Sequence, residues 1–300
     1  MSNIMLEMKN TFNPFSRLSM RERAHLFWNL NKRFFQIYRK WGLNFALNCS
    51  LAYFGIKSYM NVKYENFDVE AMVRCMPFWK ESVETGKYEP NCLDFLSGIV
   101  RRGDIIFDVG AWIGPYSLFF SKLVGSGGRV IAFEPTQKSF DMLIDNLNRN
   151  KIMNVSPKPI GLCNFVGTME FRGYGGDASI VRYKEGLTPL FRAKCTTIDK
   201  YCRENKIVPD GMKIDVEGAE GQVIEGAENV IKSYSPWALI EFHGSLLTEE
   251  ENNENWRKIT KYAKELIFIE GRKGKYQYKD KISSKPEGDF WVFVRYGDSA

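Results

Sequence analysis

From Arg102 onward, short apolar runs alternate with stretches of helical periodicity, and this rhythm constrains the fold more than any other feature of the chain. Ile105-Ile106-Phe107-Asp108-Val109 is an apolar run of the kind that a parallel strand buried on both faces shows. A glycine turn follows, and Pro115 opens a helix to about Leu123, at a position where a missing N–H costs nothing. Arg129 to Phe133 reads as the next strand, and Ser139 to Asn150 as an amphipathic helix with Phe140, Leu143, Ile144 and Leu147 on one face. Further strands are expected at Val155–Ile160, Thr168–Arg172, Arg192–Thr196, Met212–Val216 and Ala238–Phe242. Helices are expected from about Ala219 to Lys232 and from Glu249 to Lys264. Leu266–Ile269 and Phe290–Arg295 read as closing strands that add an antiparallel edge. Such alternation implies an α/β fold, a mostly parallel sheet covered on both faces.

Residues 1–100 read differently. Leu26, Phe27, Leu30, Phe34 and Tyr38 repeat at three to four, and a helix is expected from about Asn91 to Val100. The expectation is an N-terminal helical cap or lead-in over 1–100 and a ligand-binding domain over 101–300. The net charge of +6 has its whole excess near the start: residues 1–42 hold eight Lys/Arg against Glu7 and Glu22. A solvated helix face is the plainer reading; weak contact with an anionic membrane surface is the other. Nucleic acid is not expected as a partner. The uncharged stretch from Trp41 to Ile56 is shorter than the roughly 20 residues that span a bilayer. Cys49, Cys75, Cys92, Cys163, Cys195 and Cys202 form no Cys-x-x-Cys pair and read as buried or idle thiols of a cytoplasmic protein. No signal peptide is visible, and the oligomeric state is left open.

The first strand ends in Asp108-x-Gly110-x-x-x-Gly114, where a glycine lets the backbone approach a bulky ligand. Glu134, at the end of the next strand, is placed to accept hydrogen bonds from two ribose hydroxyls. Trp112 stands where a pyrophosphate site wants its second glycine, and Asp108 would set a negative charge beside any phosphate. S-adenosylmethionine carries a sulfonium and an ammonium and no phosphate, so it fits better than NAD. An NAD-dependent oxidoreductase and a catalytically silent nucleotide-binding partner protein are the alternatives.

A second acidic cluster follows. Lys213-Ile214-Asp215-Val216-Glu217-Gly218-Ala219-Glu220 ends a later strand, and Glu241-Phe242-His243 ends the next. In an open α/β sheet, ligands sit beyond the carboxyl ends of the strands, so these groups share a rim with Asp108 and Glu134. Transfer of a methyl group to a protic acceptor needs alignment and a base for the departing proton. His243 is the imidazole on that rim, and Asp215 or Glu217 is the other candidate base or substrate holder. A divalent metal on Asp215, Glu217, Glu241 and His243 is the lesser reading, and no metal ligand is assigned.

The ordered runs Asp108-Val-Gly-Ala-Trp-Ile-Gly-Pro-Tyr-Ser, Ala132-Phe-Glu-Pro, Thr197-Ile-Asp199, Lys213-Ile-Asp-Val-Glu-Gly-Ala-Glu and Glu241-Phe-His resemble the motifs of FkbM-type methyltransferases over roughly residues 88–245. The resemblance implies a class I methyltransferase fold with a Rossmann-like seven-stranded sheet. It implies S-adenosyl-L-methionine as donor, and a hydroxyl on a sugar, glycan or similar metabolite as acceptor. Carried onto this chain, it implies cofactor binding by Asp108, Gly110, Ala111, Gly114, Tyr116, Ser117, Glu134 and Asp215, with His243, Asp215 and Glu217 in catalysis. Trp112 departs from the pattern, which more often has a small polar residue such as Asn there.

Overall fold

The computed structural model describes residues 59–64, 67–72, 89–172, 190–269, 279–280 and 285–297. The chain divides into two compact units, residues 1–59 with 73–84 and residues 60–72 with 85–300. Apart from Tyr59, every described residue belongs to the second unit. The helix expected over Leu26–Tyr38, the uncharged stretch 41–56 and the basic residues 1–42 lie outside the described residues.

Two strands, β1 (Tyr59–Tyr64) and β2 (Phe67–Met72), pair with each other where helix was expected. The sequence carries the reason: Phe67, Val69 and Ala71 alternate with Asp68 and Glu70, a period of two. Helix α1 (Pro90–Ile99) follows and packs with the sheet domain: Leu93 and Leu96 are buried, and the Phe95 ring meets the Phe293 ring edge-on at 4.8 Å. The expected boundary at residue 100 therefore falls behind a helix that belongs with the sheet.

The sheet domain then runs β3 (Ile105–Val109), α2 (Pro115–Val124), β4 (Arg129–Phe133), α3 (Gln137–Arg149) and β5 (Val155–Lys158). Next come β6 (Gly161–Leu162), β7 (Gly167–Arg172), β8 (Leu190–Thr196), α4 (Ile198–Asn205) and β9 (Gly211–Ile214). After these stand α5 (Glu220–Glu225), α6 (Glu228–Tyr234), β10 (Trp237–His243) and α7 (Glu249–Thr260). The described chain closes on β11 (Ala263–Ile269), β12 (Lys279–Asp280) and β13 (Asp289–Tyr296).

The main sheet has the order β12-β11-β13-β10-β9-β3-β4-β5, seven strands plus the two-residue edge strand β12. β5, β4, β3, β9 and β10 are parallel. β13 is antiparallel and pairs with both β10 and β11, so it lies inside the sheet, while the two-residue strand β12 runs antiparallel to β11 at the edge. β6, β8 and β7 form a separate three-stranded sheet, so the runs expected at Thr168–Arg172 and Arg192–Thr196 are not part of the main one. The helix expected over Ala219–Lys232 is two helices. Gly226 ends the first, and a Cβ there would stand 2.0 Å from the Cys163 carbonyl oxygen, so a bare backbone passes at the break.

Alternation sorts the strands into two faces. Phe107, Val109, Ile131, Phe133, Met212, Ile214, Ile240, Phe242, Val292 and Val294 join Ile198, Tyr201, Val223, Ile231 and Ile259 in one core. The opposite face is mixed. There Asp108 and Lys213 stand as cross-strand partners, and Tyr116 of α2 packs its ring near Trp291. Helix α7 starts on a capping box between Thr248 and Glu251, as Thr-Glu-Glu-Glu implies. Cys92, Cys163, Cys195 and Cys202 are buried free thiols. Among the described residues no helix is long and apolar enough to cross a membrane.

Candidate active site

The loops after β3, β4, β9 and β10 meet at one edge of the sheet. Gly110 has φ +76, and a Cβ on it would stand 1.8 Å from the Asp215 carbonyl oxygen. Only glycine fits this crossing of two loops. The Gly110 and Ala111 N–H groups both donate to the Phe133 carbonyl, and the Asp215 N–H donates to the Val109 carbonyl. Gly114, at φ +93, precedes α2 and lies against the Leu143 side chain. Trp112 sits at φ +51, a left-handed backbone that a short polar residue such as Asn tolerates better than an indole.

Glu134 is 6% exposed. Its two oxygens accept from the Trp112 N–H at 2.9 Å and from the Thr136 N–H at 2.8 Å. Burial pushes its carboxyl up to about 7, and the hydrogen bonds from Thr136 and Trp112 restrain that rise. The structure thus sets Glu134 against the glycine turn, as its position in the sequence suggests.

Beneath the turn lies a buried ion group. Lys213 Nζ donates to the Gly110 carbonyl and to Asp215 Oδ2, each at 3.0 Å, and stands 3.7 Å from Asp108 Oδ1. It also lies 5.1 Å above the Tyr116 ring. Burial alone would lower its affinity for a proton, but Asp215 and Asp108 outweigh that and hold it above the ordinary lysine value. Asp108 is fully buried and accepts from Ser117 Oγ at 2.6 Å; burial raises its carboxyl, against the pull of Lys213 and Ser117. Tyr116 is buried as well, and its hydroxyl donates to Glu89 Oε2 at 2.6 Å.

The second half of the site centres on His243. Its side chain is 10% exposed. Nδ1 hydrogen bonds Glu220 Oε1 at 2.9 Å, and Glu220 is completely buried. Glu220 Oε1 also accepts from the Gly218 N–H, and its Oε2 accepts from the Asn255 amide at 3.1 Å. Nε2 faces Glu217 at 3.7 Å, Asp215 at 3.8 Å and Glu241 at 4.0 Å. Burial would lower the imidazole, but the Glu220 hydrogen bond and the Asp215 and Glu217 charges push it up to about 11. The carboxylates around His243 thus favour the protonated form of its ring.

The expected residues Gly110, Ala111, Glu134, Asp215, Glu217 and His243 come together on one rim. Asp108, Tyr116 and Ser117 lie buried below it. Three participants were not singled out: Lys213, Glu220 and Asn255. Lys213 and Glu220 stand inside the quoted acidic run, and for Lys213 a charged residue in the middle of a buried strand was the available signal. Asn255 arrives from α7, and nothing local marks it.

A family model for the methyltransferase FkbM domain matches residues 108–269, more than half of the chain. The hexuronic acid methyltransferase AglP of Haloferax volcanii is 27% identical over 194 residues, which cover 62% of this chain and 77% of that protein. The structure of the methyltransferase FkbM from Methylobacillus flagellatus resembles this one at a TM-score of 0.44 and 18% identity, over 68% of this chain and 47% of that one. An S-adenosylmethionine-dependent O-methyltransferase from Thermotoga maritima resembles it at 0.43 and 12%, over 80% and 78%. The motifs on this rim lie inside the matched span, and the chain belongs to the FkbM family of methyltransferases.

Proposed function

We propose that this methyltransferase moves the methyl group of S-adenosylmethionine to an oxygen of a sugar, glycan or similar hydroxylated metabolite. The supporting observation is the meeting of two unlike halves on one sheet edge: Glu134 against the glycine turn, and the carboxylates around His243. The Haloferax relative, whose name gives a hexuronic acid, supports the sugar acceptor.

The residues of the first half fit a phosphate-free nucleoside. Glu134 keeps lone pairs for ribose hydroxyls beyond the two backbone bonds it accepts. Helix α2 opens with Pro115, which offers no N–H to a phosphate, and Asp108 lies under the turn. Gly110, Ala111, Gly114, Glu134 and Asp215 are the cofactor-holding residues of this reading. Asp108, Tyr116 and Ser117 act from below as positioning residues that fix the turn. When bound, the cofactor supplies a methyl carbon already activated by its sulfonium.

The acceptor enters beside the second half. Glu217, 3.7 Å from His243 Nε2, is the carboxylate this reading assigns to the hydroxyl proton. His243, fixed through Nδ1 by Glu220, orients Glu217 and Asp215. The fully buried Glu220, bonded by Asn255, keeps the imidazole from turning. The cytoplasm is the compartment this reading assigns, with the basic residues 1–42 available to an anionic membrane surface.

The test is transfer of labelled methyl from S-adenosylmethionine to a panel of glycans and hexuronic acids. Label transfer is expected for the natural chain. Glu217→Gln should lose roughly 10²–10⁴-fold in kcat, the usual range for a lost general base, with S-adenosylhomocysteine affinity kept. Binding of NAD without binding of S-adenosylhomocysteine would overturn the reading.

A further inference from the structure

We propose that Asp215, Glu241 and His243 form a binding site for a divalent cation of the Mn²⁺ class, which meets the acceptor oxygen; the link to the acceptor rests on the methyltransferase reading above.

The geometry starts from the backbone. Asp215 follows β9, and Glu241 and His243 lie on β10, its parallel neighbour, with Ile214 and Ile240 in register. Glu241 and His243 are two apart on one strand, so they share a face. One oxygen of Asp215, one of Glu241 and a nitrogen of His243 all lie within 4.8 Å of one another. Nε2 is 3.8 Å from Asp215 Oδ1 and 4.0 Å from Glu241 Oε1. Two donors on one divalent cation stand roughly 3–4 Å apart, since each bond is about 2.0–2.2 Å. Nε2 stands at the upper end of that spacing from both carboxylate oxygens. Their side chains are 26% and 12% exposed, so one edge of the site is open.

The second observation is how His243 is held. Its Nδ1 is bonded to a carboxylate with no exposure at all, and that carboxylate is bonded in turn by Asn255 and the Gly218 N–H. The ring is nine-tenths buried, and among the described residues Nε2 makes no hydrogen bond. A carboxylate behind one ring nitrogen, with the other turned toward oxygen donors, is the outer arrangement that orients metal-ligating histidines.

The donor set selects the ion class. Two carboxylates favour hard cations, and one imidazole extends the range past Mg²⁺ toward Mn²⁺. On binding, His243 gives its Nε2 proton to solvent and the lone pair goes to the metal. Three protein donors leave coordination positions for water or an acceptor oxygen. Lys213 stays on Asp215 Oδ2, away from the Oδ1 that faces His243. Glu217 remains beside the cation as the proton acceptor.

Mn²⁺ alone, titrated into the full chain and followed by electron paramagnetic resonance, tests the site. One ion per chain is expected to bind the natural protein. Affinity should fall at least 10-fold in His243→Asn and in Glu241→Gln, with both variants checked by their melting curves. Should His243→Asn not fold, Glu241→Gln alone decides. No Mn²⁺ uptake by the natural chain, or uptake unchanged in both variants, overturns the proposal. S-adenosylhomocysteine affinity read on the same samples keeps the two readings apart. A chain that binds the nucleoside and no Mn²⁺ sinks the metal site and leaves the methyltransferase reading standing.

Discussion

Buried carboxyl groups keep their protons unless the fold supplies donors, and Glu134 lies near that balance. Two backbone N–H groups reach it, yet burial still lifts it to about 7. The consequence for stability has a definite sign. Between about 4.5, the ordinary value, and about 7, the folded state holds a proton that the unfolded state has lost. Ligand-free stability therefore falls as pH rises through that window, by at most about 3 kcal/mol. Ligand binding has the opposite sign, because the ionised carboxylate is the better acceptor for ribose hydroxyls. Affinity for S-adenosylhomocysteine should rise between pH 6 and pH 8 in calorimetric titrations. Glu134→Gln should bind at least 10-fold more weakly and lose the pH dependence. A flat profile in the natural chain would remove Glu134 from the cofactor site. Its location was legible from one strand end and a turn; its depth was not, because burial depends on how separate loops pack around it.

The elements around the rim are held by close backbone crossings, and glycines mark them. Gly110 passes the loop after β9, and Gly221 passes α7, where a Cβ would stand 2.2 Å from Asn255 Oδ1. Gly110→Ala combines a forbidden contact with a left-handed φ, so the loops after β3 and β9 must separate. Loss of S-adenosylhomocysteine binding is expected, measured by calorimetry, with a stability cost of roughly 1–3 kcal/mol from the strained φ alone. Asn255→Ala tests the other crossing. It removes the acceptor of the Gly221 N–H and a donor to Glu220, and it leaves both groups buried. A loss of about 1–3 kcal/mol in chemical unfolding is expected, with lower kcat as His243 loosens. Wild-type stability would show that α7 does not brace the site. The sequence made the turn glycines and the acidic strand ends readable, because each sits in a local strand–turn–helix pattern. It hid the Glu220–Asn255 pair, because those residues are 35 apart and meet only when α5 and α7 pack.

At the scale of the whole molecule, the last strand does more than close the sheet. β13 was readable as a strand, but its insertion between β10 and β11 was not, since strand order depends on pairing that no local pattern encodes. Phe290, Trp291, Val292, Phe293, Val294 and Tyr296 are all buried. At about 1.5–3 kcal/mol for each large apolar side chain, their burial equals or exceeds the roughly 5–15 kcal/mol of net stability typical of a domain. The strand also reaches the site. Asp289 pairs in register with His243, and its carboxylate accepts from the Ser245 N–H at 2.8 Å and the Ser245 hydroxyl at 2.7 Å. The start of β13 thus fixes the turn that follows the imidazole. Two variants separate these roles. Ending the chain before Asp289 should abolish cooperative unfolding, read by calorimetry, because β10 and β11 lose their shared partner. Asp289→Ala removes only the two bonds to Ser245, which are exposed, so its melting temperature should stay within a few degrees. Its kcat should still fall, because the turn after β10 no longer holds His243 in register with Glu217. Full activity in Asp289→Ala would confine β13 to a structural role and leave the alignment of His243 to Glu220 alone.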